Sequence, residues 1–172
     1  MFTTDGKVLG LVLDVSLTVS GDRVLDTVKT QLVNFLRKTM DGEDLFYLYH
    51  PEVLDPVETV GNMVSTVGNY ETDGWLFDFP YAMLQTFFVV SIEDEDYERV
   101  VMFITDRIQE DSAVKKLLKL EERDQSGCKF VFVGIGTRYN RKVFENIGAN
   151  ATYRHIDYPN ELLDSLLEWR TK

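Results

Sequence analysis

The sequence predicts an α/β fold, a doubly wound and mostly parallel sheet with helices on both faces. Nearly continuous apolar runs of strand length occur along the chain, which is typical of strands covered on both faces. Stretches with helical apolar spacing alternate with these runs, as in parallel α/β sheets. Polar residues directly follow two of the runs, where such sheets place their sites. With 172 residues and 44% hydrophobic residues, the chain has the size of one domain, and we expect a single domain over residues 1–172.

Five segments predict the strands. Residues 7–15, 99–105 and 128–135 are almost entirely apolar, so they are expected in the middle of the sheet. Residues 44–49 form a fourth candidate. Residues 151–156 are shorter and more polar, which predicts a position nearer an edge.

Helices are predicted between the strands. Ser20 and Asp22 supply a cap and an acidic first turn for a helix that ends near Gly42. Its apolar residues recur at spacings of three and four: Leu25, Val28, Leu32, Phe35 and Leu36. Residues 58–67 are ambiguous between a short helix and irregular structure. Further helices are predicted over residues 76–90, 112–123, 140–147 and 159–170.

Charge and cysteine content exclude several classes of function. Eighteen basic against 29 acidic residues give a net charge of -11, which opposes binding to nucleic acid and to acidic membrane surfaces. The one cysteine, Cys128, excludes an intramolecular disulfide and a cysteine zinc cage. The first residues lack a signal-peptide pattern, and no apolar run is long enough to span a bilayer. We therefore expect a cytoplasmic protein.

Three polar clusters are expected to meet at the carboxyl ends of the strands. Asp14, Ser16 and Thr18 follow the first strand at a spacing of two, and Asp106 follows the strand at 99–105. Thr72 precedes the apolar helix at 76–90. Two carboxylates and three hydroxyls form an oxygen-only donor set, which suits a hard cation such as Mg²⁺ or Mn²⁺.

This constellation resembles the von Willebrand factor type A domain, whose family carries Asp-x-Ser-x-Ser after its first strand, a Thr before its third helix and an Asp after its fourth strand. The apolar strand ending in Thr-Asp at 101–106 and the strand and turn at 130–136 resemble the family as well, and the likeness extends over about residues 7–170. The resemblance implies a metal-ion-dependent adhesion site, in which hydroxyls bind Mg²⁺ directly, carboxylates often act through water, and a partner protein's Glu or Asp completes the coordination. The implied ligands are Asp14, Ser16, Thr18, Thr72 and Asp106.

The sequence departs from the family pattern beside these positions. Thr18 replaces the second Ser, which keeps the hydroxyl, and Leu17 and Val19 replace the Gly and Met commonly found there. Arg107 replaces the Gly that often follows the last Asp. A guanidinium beside the metal would weaken cation binding unless it points away or pairs with an acid.

Two alternatives to metal-assisted recognition remain open. The chain could be a metal-free scaffold or assembly subunit that binds through another face of the same fold. It could also be a phosphotransferase with Asp14 as nucleophile, although Ser16 stands where such enzymes carry their acid-base carboxylate. A Gly-x-Ser-x-Gly motif is missing, and we find no complete catalytic constellation, so we expect a non-enzymatic function.

Other conspicuous residues have simpler interpretations. Residues 93–98 form an acidic run, usual for solvated surface, which could instead meet a basic partner. The aromatic residues that follow Thr72 supply the core, and one or two of them could anchor a partner: Trp75, Phe77, Phe79 and Tyr81. We expect His50 and His155 to be structural or exposed, and Cys128 to be a small buried hydrophobe.

Overall fold

The computed structural model describes residues 6–15, 24–51, 54–71, 79–93, 96–106, 127–136 and 151–170. Within these ranges five strands form one sheet, with neighbouring strands parallel and the order β2-β1-β3-β4-β5. The predicted α/β class and the predicted edge position of the last strand are confirmed. The strands are β1 (Gly6–Asp14), β2 (Leu45–Leu48), β3 (Tyr97–Thr105), β4 (Lys129–Ile135) and β5 (Ala151–Ile156).

Strand β3 begins earlier than the apolar pattern predicts. Tyr97 and Glu98 pair in register with Gly6 and Lys7 of β1, which extends the ladder beyond the apolar segment. Backbone pairing with a neighbouring strand does not require apolar side chains, so an apolar pattern does not reveal that Tyr97 and the charged Glu98 belong to the strand.

Four α-helices lie within the described ranges: α1 (Val24–Thr39), α2 (Val60–Gly68), α3 (Phe79–Ser91) and α4 (Leu162–Arg170). The segment at 58–67, which the sequence pattern leaves ambiguous, contains helix α2. The Thr59 hydroxyl caps the first turn of this helix by accepting a hydrogen bond from the Asn62 N–H. A short 3-10 turn, Pro159–Glu161, precedes α4. The helices predicted at 112–123 and 140–147 lie outside the described residues.

The sheet separates two apolar cores. Leu9, Leu11 and Leu13 of β1 face the core that contains the buried residues of α1 and α4. Val8 and Val12 face the opposite core, which contains the buried residues of α3. Alternation along one strand therefore places helices on both faces, as the continuous apolar run predicted.

Candidate functional site

The structure brings together two of the five predicted site residues. Asp14 is the last residue of β1, and Asp106 directly follows β3, the strand paired with β1. The Asp106 N–H donates to the Asp14 carbonyl oxygen over 3.3 Å. Asp14 and Asp106 therefore lie side by side at the edge of the sheet where the strands have their carboxyl ends. We call this edge the rim.

The Asp14 side chain is buried at this point, with the residue 7% exposed. One carboxylate oxygen, Oδ2, accepts a hydrogen bond from the Thr105 hydroxyl at 3.3 Å. Burial of a carboxylate is costly unless donors or a cation compensate the lost water. The Thr105 hydroxyl supplies one such donor to Asp14.

Tyr70 connects the segment before Thr72 to the end of β1. Its hydroxyl donates to the Leu13 carbonyl oxygen at 3.3 Å, and the residue is buried. Burial raises the pKa of Tyr70 well above its usual value of 10, and the nearby charge of Asp14 and then Tyr49 raise this pKa further. The phenol therefore stays protonated at neutral pH and remains a donor.

A cleft of about 410 Å³ opens beside Tyr70 at the carboxyl end of β2. Lys29 lies next to it, where its Nζ donates to the Tyr70 carbonyl oxygen at 2.8 Å and lies 3.6 Å from a Glu71 carboxylate oxygen. The lining of the cleft contains apolar and polar side chains, and two of the polar ones are carboxylates, Asp55 and Glu71. Its lining residues are Leu48, His50, Asp55, Val57, Thr66, Asn69, Tyr70 and Glu71.

The other predicted ligands, Ser16, Thr18 and Thr72, lie outside the described residues, and so does Arg107. Among the residues that the structure describes, no group of three or more His, Cys, Asp or Glu side chains could hold a metal ion. The predicted set contains only two carboxylates, and its remaining donors are hydroxyls. Carboxylate oxygens such as those of Asp14 and Asp106 are donors that hard cations prefer in proteins.

Sequence reasoning missed Tyr70 and Thr105 as parts of the rim. Thr105 could have been found, because it occupies the last strand position before Asp106 and its register partner is Asp14. Tyr70 contacts a carbonyl that is 57 positions away along the chain, and no local pattern marks such a contact.

The cysteine and the two histidines occupy buried or partly buried positions. Cys128 is fully buried, as predicted. His155 is half-buried, with Nε2 2.9 Å from the Asp157 carboxylate, and His50 lines the cleft beside Tyr70. Within the described parts of the chain, none of the helices is long and apolar enough to cross a bilayer.

Neither a protein-family model nor a curated protein matches the sequence. Solved structures do match the fold. BatB from Bacteroides thetaiotaomicron is 14% identical with a TM-score of 0.64, and the match covers 97% of this chain and 100% of that one. A von Willebrand factor type A protein from Catenulispora acidiphila is 15% identical with a TM-score of 0.67, over 98% of this chain and 42% of its own length.

The SpRpn10 VWA domain is 9% identical with a TM-score of 0.59, over 92% of this chain and 94% of that domain. Identities this low carry information about the fold and not about ligands. The parallel order of the strands, the helices on both faces and these neighbours agree with one another. The chain therefore has a von Willebrand factor type A-like fold.

Proposed function

We propose that the chain recognises a partner protein through a divalent cation held at the rim by Asp14, Ser16, Thr18, Thr72 and Asp106. The observation that carries this proposal is the meeting of Asp14 and Asp106 at the ends of the adjacent strands β1 and β3. Mg²⁺ or Mn²⁺ would supply an electrophilic centre to which a partner's Asp or Glu could bind.

The side chains around Asp14 support a positioned carboxylate. The Thr105 hydroxyl donates to one of its oxygens, and Tyr70 fixes the preceding carbonyl. Mg²⁺ demands close geometry from its ligands, so restraint of the first carboxylate lowers the cost of organising the site. The three hydroxyls complete the proposed donor set.

The experiment is a titration of metal-free protein with MgCl₂ and MnCl₂, followed by melting temperature and by calorimetry. Binding to the folded state alone should raise the melting temperature by mass action. Asp14→Asn should abolish the rise, whereas Asp164→Asn, which neutralises an exposed carboxylate on α4, should retain it. A wild-type melting temperature that does not respond to millimolar Mg²⁺ or Mn²⁺ contradicts the proposal.

The phosphotransferase alternative has a separate test. Incubation with acetyl phosphate and Mg²⁺ should leave the mass of the protein unchanged, because Ser16 cannot replace the missing acid-base carboxylate. A stable phosphoryl adduct that disappears in Asp14→Asn would favour the enzyme over the binding function.

The metal-free scaffold is a second candidate, and one observation favours it. Helix α3 exposes large apolar side chains that are not among the proposed metal ligands. Binding through this face would not depend on metal, so partner capture in EDTA distinguishes the two functions.

A further inference from the structure

Helix α3 exposes a continuous apolar stripe. Tyr81, Leu84, Phe88 and Ile92 are 52%, 46%, 60% and 66% exposed. Three of them belong to the helix and Ile92 follows its last residue, where the Ile92 N–H still donates to the Phe88 carbonyl oxygen. Their spacings of three, four and four place them on one helical face. We call these four residues the α3 stripe.

The core does not need the α3 stripe. The other side of the helix supplies Ala82, Met83, Thr86 and Val90, all fully buried against the sheet. The stripe extends about 16 Å along the helix axis, and exposed apolar patches of this kind mark interaction sites on soluble proteins.

The stripe ends in strong negative charge. Four consecutive carboxylic residues, 93–96, directly follow Ile92, and the sequence has neither Lys nor Arg from residue 51 to 98. Glu93 is held in place, since Tyr47 donates to its carboxylate and Arg99 donates to its carbonyl oxygen at 2.6 Å. Because β3 begins at Tyr97, Glu93 and Asp96 lie near the amino-end edge of the sheet, opposite the rim.

The negative charge of the chain favours one kind of binding partner for the α3 stripe over the others. A second copy of the chain carries the same net charge of -11, which opposes association. An anionic membrane surface would be repelled by the acidic end. A helix with an apolar face and basic residues satisfies both features, because its apolar side chains cover the stripe and its Lys or Arg side chains meet Glu93 and Asp96.

We propose that the α3 stripe, together with Glu93 and Asp96, forms a docking surface for a basic amphipathic helix of another protein. This surface contains none of the proposed metal ligands and requires no metal. Apolar residues of the partner at i, i+3 or i+4, and i+7 lie along Tyr81, Leu84, Phe88 and Ile92. The partner's basic residues cluster at the end that meets Glu93.

The test uses a dye-labelled synthetic peptide of about five helical turns, with Leu on one face and Lys at the other positions. Its binding to the full chain is followed by fluorescence anisotropy in EDTA. The wild-type chain should bind it, and Leu84→Gln/Phe88→Gln should weaken binding at least about tenfold, because the central apolar contacts are lost. Tyr158→Gln is the matched control, since Tyr158 is 67% exposed and lies outside α3, and it should bind like the wild type.

Separate variants test how much charge contributes to binding of the peptide. A peptide with Glu in place of every Lys should not bind, and Glu93→Gln/Asp96→Asn should weaken binding of the Lys peptide several-fold, with a smaller effect at high salt. If the double apolar variant is misfolded by circular dichroism, Ile92→Gln alone supplies the same comparison near the end of the stripe.

Three results would overturn the proposal. One is equal binding of the Lys peptide to the wild-type chain and the stripe variants, or no binding to the wild type. Another is equal binding of the Glu and Lys peptides. The third is a wild-type dimer in sedimentation that becomes monomeric in the stripe variants, which would assign the stripe to a second copy. Since every measurement is made in EDTA, these results are independent of the metal titration at the rim.

Discussion

The Asp106 N–H donates to the Asp14 carbonyl oxygen over 3.3 Å, so the ends of strands β1 and β3 are joined directly at the rim. Both residues carry carboxylates, so two acidic side chains stand at the ends of adjacent strands. In the proposed function, a bound cation would offset the negative charge of these two carboxylates. The same contact means that displacement of one strand end displaces the other, so substitutions around Asp14 should alter the rim as a unit.

The first prediction concerns Tyr70. Tyr70→Phe should lower the free energy of unfolding by about 0.5–1.5 kcal/mol, because the Leu13 carbonyl oxygen loses a buried donor. The measurement is urea denaturation. Tyr158→Phe removes an exposed hydroxyl and serves as the control. Equal stability of Tyr70→Phe and wild type would show that this hydrogen bond contributes no net stability.

The sheet could be predicted from sequence because its central strands are apolar on both faces. The run from Val8 to Leu13 contains almost only apolar residues, and such a segment is typical of a parallel strand between two helical layers. The edge strand β5 was recognised by its polar residues. Helix α3 was also predicted, but it is apolar all round, so its periodicity could not show that one face is exposed.

The site could be predicted only where its residues follow strands. Asp14 and Asp106 meet because parallel strands end at the same edge, and the sequence shows where both strands end. The contact of Tyr70 with Leu13 depends on how α2 packs beside the sheet. Likewise, the pairing of Glu98 with Arg170 joins residues 72 positions apart, which no local pattern encodes.

The second prediction concerns Glu98 and pH. Arg170 donates two hydrogen bonds to the Glu98 carboxylate, at 2.5 and 2.8 Å. This hydrogen bonding lowers the pKa of Glu98 below 4.5 although burial opposes the shift, and the charges of Arg170 and Lys129 lower it further. Glu98→Gln should therefore lower the free energy of unfolding at pH 7 by about 1–2 kcal/mol, as expected for a partly buried bidentate pair.

The pH dependence has a definite sign. A lowered folded-state pKa gives stability that is fully present above the unfolded value near 4.5 and is lost as pH falls through the folded pKa. The difference between wild type and Glu98→Gln should stay constant near neutral pH and shrink below about pH 4.5. Glu168→Gln is the control, because Glu168 pairs with Arg154 but its side chain is 58% exposed. A difference that does not depend on pH would mean that Glu98 acts through packing.

The third prediction concerns the close approach of α3 to β1 at Gly10. A Cβ at this position would lie 2.5 Å from Thr86 Cγ2 and 2.8 Å from Val90 Cγ2. Gly10→Ala should lower the free energy of unfolding by about 1–3 kcal/mol through overpacking. Thr86→Ser, which removes the closer methyl group, should restore part of the loss in the double variant. Gly42→Ala is the control, since no atom lies within 4 Å of its added Cβ, and an unchanged Gly10→Ala stability would mean that α3 shifts freely.

The fourth prediction concerns Arg107, which directly follows Asp106 in the sequence. Arg107→Gly removes a positive charge beside the proposed cation and should strengthen binding of Mg²⁺, since like charges oppose each other. Calorimetry with wild type, Arg107→Gly and Arg107→Lys separates charge from shape, because the Lys variant keeps the charge and should bind like the wild type. Unchanged or weaker affinity in Arg107→Gly would mean that the guanidinium points away or positions Asp106.

The last prediction concerns the partner that the rim would bind. A carboxylate of the partner must complete the coordination, yet a chain with a net charge of -11 repels an acidic protein at long range. The cation must therefore supply the local attraction, and basic residues around the partner's acid should speed association at low salt. Binding of such a partner should be lost in EDTA, in Ser16→Ala and Thr72→Ala proteins that keep the wild-type circular dichroism spectrum, and when the partner's Asp or Glu is neutralised.

Leu84→Gln/Phe88→Gln should leave this interaction intact, because the α3 stripe is a different surface. Recovery of the same partner with and without EDTA, combined with its loss in the stripe variant, would move recognition from the rim to α3 while leaving the fold unchanged.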